Sequence, residues 1–376
     1  MPQRLCALQV LRAVAAALVI FGHAQDTYLA KVADAWLPLS SFGLGGLGVK
    51  LFFCISGFMI YGAGMRMATG PASVAEFAWR RVIRVVPLYW AATLVYAAKL
   101  AVQGQAPTPG EMAGSLFFIA YHESLIRPVL GLGWTLNFEM FFYAIFATSL
   151  MLHQKMRAWW VSACFAMLFF LRWLGVTTPF GFPLASYLFL LTNMCLVYFL
   201  AGMALGWLRP KCRHWIQNAG LSPAVALGLA TGLLGGYLLL AGRAPGQAAG
   251  DEMLLAALVV LVVGACLLEK PGTGAAAGRV FRALQAAGDA SYSSYLTHGF
   301  VMGPAARLLA LGGLPVPVWW FATAMVLACT VVGVLVHHVF EKPMLKRFST
   351  PPWAAAPSRA SGPGFQAPSR SSHSGR

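Results

Sequence analysis

Charge is scarce in this chain. Only 10% of its 376 residues are Asp, Glu, Lys or Arg, against about 25% in a soluble domain. That is too little to cover the water-facing surface of a fold this long, so the composition excludes a soluble protein. Acidic residues are scarcer still: 11 Asp and Glu stand against 27 Lys and Arg, for a formal charge of +16. The excess does not indicate nucleic acid, because the basic residues lie in short loops and a tail rather than along one solvated face. Membrane proteins set their orientation in this way. Paired cysteines are missing too. Cys6, Cys54, Cys164, Cys195, Cys212, Cys266 and Cys329 are scattered without a Cys-x-x-Cys spacing, which argues against a disulfide framework or a metal site. Most lie in apolar runs, where a free thiol acts as a small hydrophobe. No internal repeat of fixed period is visible, so the inverted-repeat signature of many secondary transporters is not apparent. The first apolar run lacks a small-residue cleavage site before Asp26 and is interrupted by Arg12, so it reads as an uncleaved membrane helix rather than a signal peptide.

What the chain has in abundance is apolar length, 59% of its residues. Runs able to cross about 30 Å of hydrocarbon fall near 5–24, 47–64, 85–103, 132–152, 157–174, 185–208, 221–242, 252–268, 291–310 and 316–339. With the N-terminus inside, nineteen Lys and Arg fall in inner loops and the tail, and only Lys31, Arg127 and Arg243 in outer loops. That asymmetry predicts an all-α polytopic membrane protein of about ten transmembrane helices with both termini cytoplasmic. Residues 1–348 form its one domain. Residues 349–376, rich in Pro, Ser, Gly and Ala with three Arg, read as a disordered, weakly basic cytoplasmic tail.

Ionisable residues inside such a protein are costly and demand partners. Arg12 and His23 share the run Leu8–Ala24. Eleven residues put them about 16 Å apart along a helix and about 20° apart in azimuth, on one face at two depths. Three polar groups are expected in the outer half of the membrane: His23 near the outer end of the first span, Lys50 opening the second, and Glu139 about two turns into the fourth. A carboxylate beside an imidazole orients it and stabilises its protonated form, although Glu139 is equally suited to an internal salt bridge with Arg12 or Lys50. On the inner side Arg80, Arg81 and Arg84 precede the third span, with Arg81 and Arg84 on one face. They serve as a topology signal or, since Arg suits phosphate, as the seat of an anionic cytosolic ligand. The ninth span opens GDASYSSYLTHGF, giving Tyr292, Tyr295 and an inner-half His298 a polar face that also suits interhelical contacts. Ser56 and Gly57 in the second span permit close packing.

These blocks, LRAVAAALVIFGH, GVKLFFCISGF, RRVIRVVPLYW, WTLNFEMFFY and GDASYSSYLTH, with an EKP segment after the last span, resemble the acyltransferase-3 family in order and register. These are bacterial membrane O-acyltransferases that modify surface polysaccharides and related acceptors. The resemblance covers about residues 5–345 and tilts towards the exopolysaccharide branch. It implies transfer of an acyl group, usually acetyl, from cytosolic acyl-CoA (acetyl-CoA) to a hydroxyl of an exopolysaccharide or other cell-envelope glycan at the inner membrane, with no bound cofactor. His23 would be the base or transient acyl carrier. Arg12, Arg80, Arg81 and Arg84 would bind donor phosphates or developing charge, and Glu139 would support the site. Ser56, Tyr292, Tyr295 and His298 are candidate supporting residues. Lys50 stands where many members carry an acid, so a carboxylate role does not transfer to it. Partners implied are acyl-CoA, a glycan or lipid-linked glycan, the bilayer and polysaccharide biosynthesis proteins, but no nucleic acid. On the residues alone, a flippase or transporter using His23, Glu139 and Arg12 for proton coupling competes evenly, and a structural subunit of an export complex stands behind both.

Overall fold

A computed structural model describes residues 6–32, 44–119, 128–174, 195–218, 278–313 and 315–354. The expected spans 221–242 and 252–268, and residues 185–194 of the sixth, lie outside the described residues. The elements are α1 Cys6–Lys31, α2 Leu44–Gly64, α3 Pro71–Val102, α4 Pro109–Leu116, α5 Gly133–Ser149, α6 Gln154–Trp173, α7 Cys195–Asn218, α8 Arg279–Asp289, α9 Ser291–Gly312 and α10 Val318–Val336. A π-helical turn, His337–Glu341, then joins α10 to α11, Lys342–Arg347. No strand occurs among the described residues.

Among the described residues, four stretches are long and apolar enough to cross a membrane: α1, α2, α3, and the continuous run Val318–Arg347 from α10 through α11. The fourth, fifth and ninth expected spans are also helical, as α5, α6 and α9. However, α5 has 17 residues, short of the roughly 20 that span hydrocarbon, and the Ser, Tyr and Thr residues that open α9 dilute its apolar character.

Two helices run well past their expected spans. α1 continues to Lys31 because its polar residues do not break the backbone ladder: the Thr27 hydroxyl donates to the His23 carbonyl at 2.7 Å, and Gln25 is buried. His23 therefore lies about 12 Å from the helix end, deeper than the apolar run alone suggests. α3 begins at Pro71, where Gly70 at φ 130° turns the chain and Pro occupies the first helical turn. Its 32 residues extend about 48 Å, so Arg80, Arg81 and Arg84 lie on the third helix itself rather than in a loop ahead of it.

Packing depends on close backbone approach, as expected where lipid replaces water outside the bundle. α2 packs extensively on α7 through two reciprocal glycines. A Cβ on Gly57 would overlap the Phe199 carbonyl, and one on Gly202 would overlap that of Cys54. Beside this contact, Phe142 stacks on Phe199 at 3.9 Å between ring centroids. A smaller cluster of Ile20, Ala24, Met302, Ala306, Phe321 and Cys329 joins α1, α9 and α10. The C-terminal end of α2 is held by Arg157 of α6, 1% exposed. Its guanidinium donates to the carbonyls of Gly64 at 2.5 Å, Met67 at 3.0 Å, Ala68 at 3.2 Å and Leu152 at 3.2 Å, and to the Thr69 hydroxyl at 3.1 Å. Gly64 closes α2, Met67 to Thr69 form the turn after it and Leu152 precedes α6, so the guanidinium ties these segments together at a helix end, where the dipole also favours a cation.

Candidate active site

α1 enters the bundle with Arg12 one turn after Gln9, whose side-chain oxygen accepts a hydrogen bond from Arg12 at 3.3 Å. α8 crosses α1 so tightly that a Cβ on Gly288 would overlap the Gln9 carbonyl, and this crossing brings Asp289 alongside Arg12. The space they frame is a cavity of about 510 Å³. α1 contributes Arg12 to its wall, α2 Ser56, α3 Arg81 and Arg84, α5 Glu139 and Tyr143, α8 Asp289, and α9 Tyr292 and Tyr295. His337, His338 and Lys342 from the α10–α11 join complete it.

The wall is mostly cationic, with Arg12, Arg81, Arg84 and Lys342 against the carboxylates of Glu139 and Asp289. Arg12 lies within electrostatic range of Arg84, Glu341, Asp289 and Glu139. The Tyr143 hydroxyl donates a short hydrogen bond to the Glu139 carboxylate, one turn along α5. The Arg81 guanidinium lies 5.6 Å from the ring centroids of both Phe77 and Tyr143, a cation–π arrangement that holds it without using up its hydrogens. Tyr292 donates to the Val85 carbonyl at 2.7 Å, which ties α9 to the helix carrying Arg81 and Arg84.

His23 is not among the lining residues of this cavity. Its ring stacks on that of His298, 5.2 Å between centroids and 21° between planes, and its Nδ1 is 4.0 Å from Asp26 Oδ2. His298 is buried, at 2% exposure, and its Nδ1 lies 2.6 Å from the Tyr295 carbonyl. A carbonyl only accepts, so Nδ1 carries the hydrogen and Nε2 is the free ring nitrogen. Tyr295 links the two regions. It lines the cavity, its hydroxyl shares a 2.8 Å hydrogen bond with Thr135, and its ring lies 5.9 Å from that of His298. Tyr295 therefore faces the cavity that Arg12 also lines and stands next to His298, which stacks on His23.

Several sequence expectations take a different form here. The group beside His23 is His298 rather than Glu139, and the two imidazoles stand at one level instead of in opposite halves. Glu139 accepts a hydrogen bond from Tyr143 and lies within electrostatic range of Arg12. Lys50 lies outside the cavity lining and places its ammonium 5.6 Å over the Tyr198 ring, away from Glu139. Arg80 points outward, 60% exposed, and pairs with Glu76 of its own helix at 2.5 Å. Ser56 lines the cavity wall.

Other groups gave no signal from spacing alone. Asp289 sits where α8 meets α9, and Tyr143 one turn after Glu139. Glu341 is fully buried, accepting from the Ser293 hydroxyl at 2.5 Å and from His337 Nδ1 at 2.9 Å. The one available hint was the EKP segment, an acid placed directly after a long apolar run.

A helical membrane protein with a largely cationic polar cavity beside an imidazole pair, one ring buried and the other half-exposed, has the makings of an enzyme acting on a charged substrate at the bilayer. The acyltransferase-3 model, described as an acyltransferase domain, matches residues 7–338, and the chain belongs to this acyltransferase family. It is also similar to the exopolysaccharide production protein ExoZ of Rhizobium meliloti (strain 1021), 34% identical over 317 residues, which cover 81% of this chain and 91% of that relative. No solved structure matches the chain.

Proposed function

We propose that this protein is an O-acyltransferase of the bacterial inner membrane. It moves an acyl group, in the first instance acetyl, from cytosolic acyl-CoA to a hydroxyl of an exopolysaccharide or other cell-envelope glycan. The relative's name, exopolysaccharide production protein, supports that acceptor class. The observation that carries the reading is the continuity between an arginine-lined cavity and the His298–His23 pair through Tyr295. Guanidinium groups suit phosphate oxygens, so Arg12, Arg81 and Arg84 hold the nucleotide end of the donor, and exposed Arg80 extends that basic surface towards the cytosol. The roughly 16 Å along α1 from Arg12 to His23 is then spanned by the pantetheine arm.

At the far end His23 takes the proton of the acceptor hydroxyl, and the alkoxide oxygen attacks the thioester carbon. The new C–O bond forms, the C–S bond breaks, and the CoA thiolate leaves and takes the proton from the imidazolium. His298 sets the position of His23 by stacking. Glu139, held by Tyr143, supplies the countercharge that keeps Arg12 in place. Ser56 and Lys50 have supporting places on α2. The topology that goes with this reading has ten spans and both termini inside, with a domain at 1–348 and a tail at 349–376.

The test is purified full-length protein in lipid nanodiscs with acetyl-CoA and acceptor glycan, read as free thiol released and as glycan mass. His23→Ala should abolish both readouts while the protein inserts and accumulates normally. Near-normal acylation in that variant refutes the mechanism, and glycan movement without thioester consumption replaces it with transport. The mass added to polysaccharide in cells carrying the wild type names the acyl group.

A further inference from the structure

The join between α10 and α11 carries a second imidazole–carboxylate arrangement, distinct from His23. Val318–Val336 ends not in a cap but in a π-helical turn, in which the Lys342 amide reaches back to the His337 carbonyl. Such widened turns inside helices are uncommon and gather at functional sites. This one places His337 and Glu341 so that His337 Nδ1 meets Glu341 Oε2 at 2.9 Å. Glu341 has no exposure at all. One of its oxygens is shared between Ser293 and His337, and the other, Oε1, is buried without a hydrogen-bond partner among the described residues. A buried carboxylate held this way is expensive unless positive charge stands close. Here Arg84 and Arg12 lie within electrostatic range of it.

His337 itself lines the cavity, with Lys342 beside it. Nδ1 is engaged by the carboxylate, which can only accept from it when ionised, so Nδ1 carries a hydrogen. Nε2 is the nitrogen left for a ligand. A neutral ring offers Nε2 as an acceptor, whereas the imidazolium donates from both nitrogens. With Arg12, Arg81, Arg84 and Lys342 all on the same wall, an anion is the ligand this wall suits, and a phosphate oxygen accepts the second hydrogen.

We infer that His337 is a donor-binding residue, contacting a phosphate of the acyl donor through Nε2, and that Glu341 is the positioning residue that orients its ring and serves as countercharge to Arg12 and Arg84. The arrangement rests on the acyl-CoA reading above. It adds to the arginine wall a fourth side of the phosphate site, contributed by the last helix of the bundle.

The test separates the phosphates from the thioester. Full-length protein in nanodiscs is assayed with acetyl-CoA and with the N-acetylcysteamine thioester of acetate, which has no phosphate. Loss of one charge-assisted hydrogen bond corresponds to about tenfold. His337→Gln should therefore raise KM for acetyl-CoA about tenfold, leave kcat within twofold, and leave turnover of the phosphate-free donor unchanged. Glu341→Gln, which keeps the shape and a hydrogen-bonding oxygen but removes the charge, should shift KM in the same direction with the same donor selectivity. Equal losses with both donors would mean a merely structural role and overturn the inference. So would an unchanged KM for acetyl-CoA in His337→Gln. Calorimetric titration with CoA separates the two readings. A wild type that binds no CoA removes both, and a wild type and His337→Gln that bind it equally remove this one alone.

Discussion

Replacing Arg157 by Lys keeps the charge and removes the fork. If Arg157 only marks an inner loop, Lys serves as well. In the structure, however, Arg157 makes five hydrogen bonds, to four carbonyls and a hydroxyl, that gather the end of α2 onto α6. A lysine ammonium has three hydrogens on one nitrogen and cannot reach acceptors that the guanidinium meets from three nitrogens. At least two bonds are therefore lost. At about 1.5–3 kcal/mol for each bond to a charged group, partly recovered by relaxation, the net cost is about 3 kcal/mol. At about 2–4 °C per kcal/mol for chains of a few hundred residues, thermal unfolding in detergent should drop by roughly 6–12 °C. Because α2 also supplies Ser56 and Ile60 to the cavity wall, acetyl-CoA turnover should fall alongside, while insertion and orientation, read by cysteine accessibility, stay as in wild type. A Lys variant that melts within about 1 °C of wild type, far less than the drop expected from the lost bonds, would refute the capping argument. Arg157→Leu tests it from the other side, removing all five bonds at once and costing more than Lys.

Tyr143→Phe removes the hydroxyl that donates to Glu139. It should lower kcat/KM for acyl transfer by about 10- to 150-fold, the equivalent of about 1.5–3 kcal/mol; steady-state kinetics with acetyl-CoA check this. Thr108 caps α4, and its backbone N–H and hydroxyl hold the Glu111 carboxyl below the ordinary carboxylate range. A carboxyl with a lowered folded-state pKa contributes stability that is present at neutral pH and lost as pH falls through that value. Hydrogen exchange at the first turn of α4 should therefore accelerate on acidification below the ordinary carboxylate range, and Glu111→Gln should flatten that dependence.

The helical character, the apolar stretches and the family were legible from residue order. So was the shared face of Arg12 and His23, since it follows from helical period alone. What period does not give is the neighbour. Glu139 was a candidate partner for His23, Arg12 or Lys50 on depth, and the packing of α5 against α3 and α7 puts it on the cavity wall. Arg157 was countable as a loop charge because a charge count carries no information about burial. Glu341 entered only as part of the EKP segment after the last span, since nothing local announces the π turn that folds it inward. Gly57 did suggest close packing, and its contact with Phe199 makes that packing visible. The expected spans 221–242 and 252–268 lie outside the described residues.

The countercharges of Arg12 have a bearing on how the protein is made. Arg12 precedes in the chain all of the acids within its reach, Glu139, Asp289 and Glu341, by several helices in each case. An arginine alone in hydrocarbon is costly. During synthesis Arg12 therefore lacks these countercharges until α5, α8 and the α10–α11 join have followed it. Its native seat is completed only when the turn carrying Glu341 packs against it.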